Sequence, residues 1–368
     1  MAKDFFDKPF DESTLTKLEL FENYLHECIP VFIKNAINYK WLKGVNIFDF
    51  FAGAGQDSIS QKGSPLIALE SFPFHFPDII QHNLNVNVYL NEYEIKYFKK
   101  LEDVVNNLEL ASKPLKIHLE NKNFGELFDQ WYKKMQGFAN LVWLDQFGVK
   151  FVNADIFNKL VNLPMTDLLF FVSSSTFKRF AEDESINSVL NISKEDVKGL
   201  PPHQIHRFVT DRYRLLIPDN KEYYLTSFSI KKKTNIYGLI FGSSHPLGLE
   251  KFLKVCWSVN PNIGDANFDI DEDNIARYSN SLFPVKPKKL TLFEEELEKE
   301  ILEGKLKTEW DIYIFTLTNG FLGNIHAKPI VDKLKKDKKI GTDTFSYAHS
   351  TLGERRKQGV IKQIKILK

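Results

Sequence analysis

The segment Val45–Leu69 constrains this chain more than any other. Val45-Asn46-Ile47-Phe48-Asp49-Phe50 is an apolar run of strand length that feeds directly into Phe51-Ala52-Gly53-Ala54-Gly55. A polar stretch follows, then Gly63-Ser64-Pro65-Leu66-Ile67-Ala68-Leu69, where Ser64 suits an N-cap and Pro65 the first helical turn. Strand, glycine loop and helix in that order predict the opening unit of a parallel α/β sheet. Gly53 and Gly55 let the main chain turn tightly and predict bare backbone facing open space, against which a ligand can press.

The remaining pattern extends that unit. Val86–Leu90, Leu115–Leu119, Leu141–Leu144 and Leu168–Val172 read as further strands separated by helical stretches. Tyr223–Ile230 and Ile236–Phe241 flank the turn-like Lys231–Asn235 and predict an antiparallel pair closing the sheet edge. The expected fold is therefore α/β, a mostly parallel Rossmann-like sheet with an antiparallel edge hairpin. Residues 1–40 form an N-terminal helical segment in which Pro30 is expected to kink or divide the helix. Residues 41–279 hold the Rossmann domain, with an inserted segment near 176–220, and residues 280–290, with Pro284 and Pro287, read as a linker. In 291–368, helices over Leu292–Leu302, Trp310–Leu317 and Ile330–Lys336 precede an alternating Val360–Leu367, which predicts a winged-helix-like basic domain.

Composition narrows the classes. At 43% hydrophobic and 26% charged, the 368 residues can build a sizeable core and fit a globular protein. Cys28 and Cys256, the two cysteines, exclude a disulfide framework and a cysteine-only zinc site, so no metal is expected and a reducing cytoplasm is the natural setting. The start MAKDFFDKPFDESTL has acids and a proline where a signal peptide needs an apolar run, and no stretch approaches a membrane span. The net charge of +1 conceals an asymmetry: Lys305–Lys368 carry 14 Lys and Arg against 6 Asp and Glu. Such a tail is either a polyanion-binding module or a solvated lysine-rich face.

The loops at the strand ends carry the candidate chemistry. Phe51, Gly53 and Gly55 would line a nucleoside cofactor, and Glu92 after the second strand stands where an acid receives ribose hydroxyls. Asn121 and Asn123 after the third strand are placed to address an adenine ring. Ser58 occupies the third-glycine position of the nicotinamide fingerprint, and polar residues delay the helix, so S-adenosylmethionine is preferred over a pyrophosphate cofactor. After the fourth strand, Asp145 can accept from an exocyclic amine and Phe147 can stack on a flipped base. The structural alternative has Asp145 capping a turn and Phe147 filling the core. His203 and His206, among Arg207, Asp211, Arg212 and Arg214, lack a third metal ligand and suggest solvated charge or nucleic-acid contact. Ser173-Ser174-Ser175-Thr176 reads as an N-cap, since no glycine elbow precedes it.

The stretch Ile47–Gly55 with Gly63–Leu69 resembles the opening of three-Cys-motif partner proteins, bacterial proteins with a methyltransferase-like fold, and is also similar to that of rRNA adenine-N6 methyltransferases. Leu144-Asp145-Gln146-Phe147-Gly148 matches the family's Asp-Pro-Phe-Gly loop except at Gln146, and Tyr237–Trp257 matches its late strand and helix. The resemblance covers most of residues 40 to 270. It implies a partner carrying a three-cysteine motif, of the radical-type iron–sulfur kind, in a mobile-element or phage-defence setting. Three functions remain open: a SAM-dependent methyltransferase acting on an amino group of a DNA or RNA base; a nucleic-acid-binding or scaffold subunit that keeps the fold without turnover; and a small-molecule methyltransferase.

Overall fold

Val45, Ile47 and Phe48 are all buried because β1 (Gly44–Asp49) is a central strand, hydrogen-bonded on both sides. The protein is described by a computed structural model covering residues 5–108, 114–145, 152–173, 196, 199–200, 205–232, 235–273 and 286–367. It divides into two compact units, Met1–His245 and Pro246–Lys368. In the first, β1, β2 (Asn85–Asn91), β3 (Lys116–Glu120), β4 (Ala139–Leu144), β5 (Thr166–Ser173), β6 (Tyr224–Lys232) and β7 (Asn235–Ser243) form one sheet in the order β3-β2-β1-β4-β5-β7-β6. Strands β1 to β5 run parallel, while β7 enters antiparallel between β5 and β6. This is the expected mostly parallel Rossmann-like sheet with its antiparallel edge hairpin. The order reverses between β1 and β4, and an open α/β sheet binds its ligand beyond the strand tips at such a switch point.

The helices of this unit are α1 (Glu12–Asn38), α2 (Ser64–Glu70), α3 (Phe76–Gln81), α4 (Ile95–Asn106), α5 (Phe124–Met135), α6 (Ala154–Val161) and α7 (Ile205–Arg214). Side-chain alternation sorts them onto two faces. Phe48 and Phe50 point one way, against Trp131 of α5 at 5.6 and 4.7 Å between ring centroids. Trp143 of β4 points the other way, against Phe21 of α1 at 4.4 Å. Pro30 does not divide α1, which runs unbroken for 27 residues. The proline is exposed, so water can satisfy the carbonyl it frees, and buried residues on both sides hold the helix to the sheet. Gly63, not Ser64, is the N-cap of α2; the Ser64 hydroxyl donates to Asp49 instead.

A polar ladder crosses the sheet below the tips. Asn87 donates to Asn46 at 2.9 Å, Asn46 to Asn140 at 3.3 Å, and Asn140 to Thr166 Oγ1 at 3.0 Å. These residues are register partners on neighbouring strands. A one-residue slip would bury the amides unpaired, so the ladder fixes the register.

The second unit contains α8 (Pro246–Val259), α9 (Lys288–Leu302), α10 (Glu309–Thr318), α11 (Lys328–Lys336) and α12 (His349–Gln358), with a π-helical turn at Gly323–Ala327. It begins at Pro246, and of the linker expected at 280–290 only residues 286–290 are described. The final segment forms isolated antiparallel bridges, Thr308 with Gln363 and Ile340 with Ile366, in place of the expected strand. Its interior turns on one charge. Glu309, 1% exposed, accepts from Arg355 Nη1 at 2.8 and 2.6 Å and from the amides of Ser346 at 2.8 Å and Lys362 at 3.1 Å. Among the described residues, no helix is long and apolar enough to cross a membrane.

Candidate functional site

The site forms where the first three parallel strands end. After Asp49 the chain turns through Gly53 (φ +65°) and Gly55 (φ +84°), left-handed conformations that disfavour any other residue. The Gly63 amide closes the loop on Gly55 O at 2.8 Å. The Gly53 amide donates to Glu92 Oε2 at 2.9 Å, and the second carboxylate oxygen of Glu92 accepts from the Glu94 amide at 2.7 Å. Burial pushes the Glu92 carboxyl above its ordinary range, partly offset by these amides. Asn121 donates to the carbonyls of Glu92 and Tyr93 at 2.6 and 2.8 Å, so it braces the turn that carries the acid. Gly53, Glu92 and Asn121, chosen from sequence, therefore meet at one place.

The other candidates fall differently. Asn123 is the N-cap of α5, accepting from the Gly125 amide at 2.9 Å. Phe51 stacks on Phe124 at 5.4 Å. Asp145 follows β4 at the same edge of the sheet and is paired with Lys17 of α1, whose ammonium also lies 5.1 Å from the Phe171 ring centre. Phe147 and Gln146 lie outside the described residues, as do Ser174, Ser175, Thr176, His203 and most of the inserted segment. His206 corrects the sequence reading. It is fully buried on α7 and bonded to Ser229, not solvated. Among the described residues, no group of three or more His, Cys, Asp or Glu could hold a metal ion.

The open space expected beside Gly53 and Gly55 is filled; a Cβ on Gly55 would meet Leu101 at 3.3 Å and Val104 at 3.6 Å. A Cβ built on Gly53 would fall 2.1 Å from Cζ of Phe6, so the Phe6 ring rests on the bare backbone.

Three residues were missed from sequence. Asn91, buried, donates to Phe50 O and Lys122 O at 3.1 Å each and accepts from the Lys122 amide, tying together the tips of β1, β2 and β3. Lys17 was hidden in an amphipathic helix. Asp49 looked like part of the strand, yet it is buried and accepts from Ser64 Oγ at 2.6 Å and the Phe51 amide at 3.1 Å. Burial, with lesser contributions from Asp145 and Glu92, raises its pKa to about 7. At the opposite sheet edge, burial likewise raises Asp167 to about 6, opposed by its bonds from Ser243 and Tyr24.

Both acids hold a proton in the folded chain that they lose when unfolded. Stability should therefore fall as pH rises from about 4 to about 7, then level off. Each pKa unit is worth roughly 1.4 kcal/mol. Thermal melts of Asp49→Asn across this range should show a shallower decline than the parent; an identical slope would contradict the assignment.

The strand order and the antiparallel β7 define a Rossmann-like, mostly parallel α/β sheet. No family model matches the chain, and no curated protein matches it. Among solved structures, similarity reaches Trm1 from Pyrococcus horikoshii in complex with S-adenosyl-L-methionine, at 11% identity over 66% of this chain with a TM-score of 0.38. It also reaches a SAM-dependent methyltransferase from Agrobacterium tumefaciens, at 10% identity over 59% with a TM-score of 0.32. The chain spans 59% and 61% of the lengths of those two proteins.

Proposed function

We propose that the protein is an S-adenosylmethionine-dependent methyltransferase acting on an amino group of a nucleic-acid base. The observation that carries this reading is the convergence of the Gly53 amide with the Glu92 carboxylate beneath a left-handed glycine turn. That arrangement would offer an adenosyl group an acid and a side-chain-free turn, once the Phe6 ring that covers Gly53 moves aside. Phe51, Gly53, Gly55 and Glu92 would hold it, with Asn121 and Asn123 towards the adenine. When bound, S-adenosylmethionine supplies a methyl group on a positively charged sulfur. Asp145 would accept a hydrogen bond from the exocyclic amine and aim its lone pair, and Phe147 would stack on the extruded base.

The second unit supplies the grip on nucleic acid in this reading. Helix α9, Thr308, α10, α11, Ile340 and the bridged Gln363–Ile366 follow one another in the order of a winged helix, with α12 inserted in the wing. The resemblance to three-Cys-motif partner proteins adds a radical-type iron–sulfur partner with three cysteines, in a phage-defence or mobile-element setting, to the proposal.

Two observations favour a second reading. Asp145 is already paired with Lys17, and Gln146 stands where the resembling family has proline. A nucleic-acid-binding or scaffold subunit without turnover would tolerate both.

Calorimetric titration with S-adenosylhomocysteine tests the cofactor reading. Glu92→Ala should weaken binding by about tenfold, roughly 1.4 kcal/mol, and Gly53→Val should remove it. Unchanged affinity in both variants, with circular dichroism showing both folded, would reject the site.

A further inference from the structure

The ring over Gly53 belongs to a segment held by the glycine loop, by α4 and, through Asp11 and Lys232 at 2.7 Å, by β6. Phe6, on the short 3-10 turn Phe5–Asp7, meets Tyr97 of α4 edge-on at 4.9 Å. Asp7 pairs with Lys96 at 2.7 Å and Lys100 at 2.5 Å, both on α4. The Phe10 amide donates to Asp57 at 2.7 Å, and Asp57 also accepts from Ile59 and Gln61 inside the loop. Asp11 then caps α1, accepting from the Thr14 amide at 3.0 Å. The Asp7 anchors are of a kind that releases easily, whereas the bond to Asp57 is the firmer one. Asp7 and Lys96 are exposed, and such pairs add little and are screened by salt. Phe6 itself is only half-buried.

We propose that residues 6–11 are a displaceable gate, whose Phe6 ring competes with an adenosyl ligand for the bare face of Gly53. The inference rests on the cofactor reading above. Both occupants need the same ground: a side chain one atom long already collides with Phe6, so a ligand pressed against Gly53 must displace the ring. Apparent affinity is then reduced by the fraction of molecules with the gate open, and loosening the gate raises it.

The test is titration of the full chain with S-adenosylhomocysteine, comparing the parent with Phe6→Ala and Asp7→Asn. Phe6→Ala should tighten binding by about five- to tenfold and speed association. Raising salt to about 0.3 M should tighten binding to the parent but not to Asp7→Asn, opposite to the salt response of nucleic-acid binding. Hydrogen exchange at the Phe10 amide should accelerate when the ligand is added. Unchanged affinity in Phe6→Ala overturns the gate while leaving the cofactor site standing. Weaker binding overturns it too, by making the ring a wall of the pocket. Absence of binding in both folded proteins removes the cofactor reading and the gate together.

Discussion

Methyl transfer to a nucleic-acid base is expected to fall by about 10²- to 10³-fold when Asp145 is replaced by alanine, the range found when one oriented polar group is removed from a catalytic site. Affinity for S-adenosylhomocysteine should change by less than about threefold. The split follows from position: Asp145 leaves the end of β4, whereas Gly53 and Glu92 belong to the ends of β1 and β2. The substitution has a second consequence. The Lys17 side chain is 10% exposed, and without its partner the ammonium is stranded. Breaking a buried pair from one side costs about 3–5 kcal/mol, less here because Asp145 is 25% exposed. Lys17→Met/Asp145→Ala should therefore recover stability without recovering transfer. Methyl incorporation unchanged in Asp145→Ala would reject the catalytic role. No incorporation by the parent, combined with salt-sensitive nucleic-acid binding that survives Asp145→Ala, would establish the scaffold reading.

The strands were legible because each is an apolar run of strand length bounded by polar or glycine turns, and all seven lie within a few residues of their sequence positions. The swap that places β7 between β5 and β6 was not, since two hairpin strands look alike whichever one meets the sheet. Helix α12 escaped for a related reason. Its sequence, HSTLGERRKQ, buries a single residue, Leu352, and so shows no apolar stripe. Helix α7 is the opposite case: Ile205, His206, Val209, Thr210 and Tyr213 form a buried stripe at helical spacing, which the neighbouring Arg and Asp residues masked.

The site was half legible. Gly53, Glu92 and Asn121 could be picked out because strand-end loops are where an open α/β sheet binds its ligand. The contacts that cover Gly53 and pair Asp145 are distant in sequence. Phe6 reaches Gly53, and Lys17 reaches Asp145, across 47 and 128 positions. Neither pairing leaves a periodic trace. Asp49 was overlooked because it read as one more residue of the strand, and its bond from Ser64 leaves no trace in the sequence pattern.

In the second unit, Arg355→Met is expected to cost roughly 3–5 kcal/mol, as for a buried ion pair broken from one side. For a unit of this size that is a melting shift of about 10 °C or more. Glu309 is the reason. Its side chain is fully buried, and its carboxylate holds four groups far apart in sequence: the start of α10 that carries it, the amides of Ser346 and Lys362, and Arg355 on α12. Removing the guanidinium leaves a charge that two amides cannot compensate. Removing the charge as well should relieve most of the penalty, so Glu309→Gln/Arg355→Met should melt above Arg355→Met alone. That ordering separates an electrostatic keystone from simple loss of packing, because packing loss predicts the double variant to be the less stable. The same keystone anchors the bridged C-terminal segment through Lys362. Weakening it should therefore lower affinity for nucleic acid at temperatures where the first unit remains folded, measurable by binding to short duplexes below the melting transition.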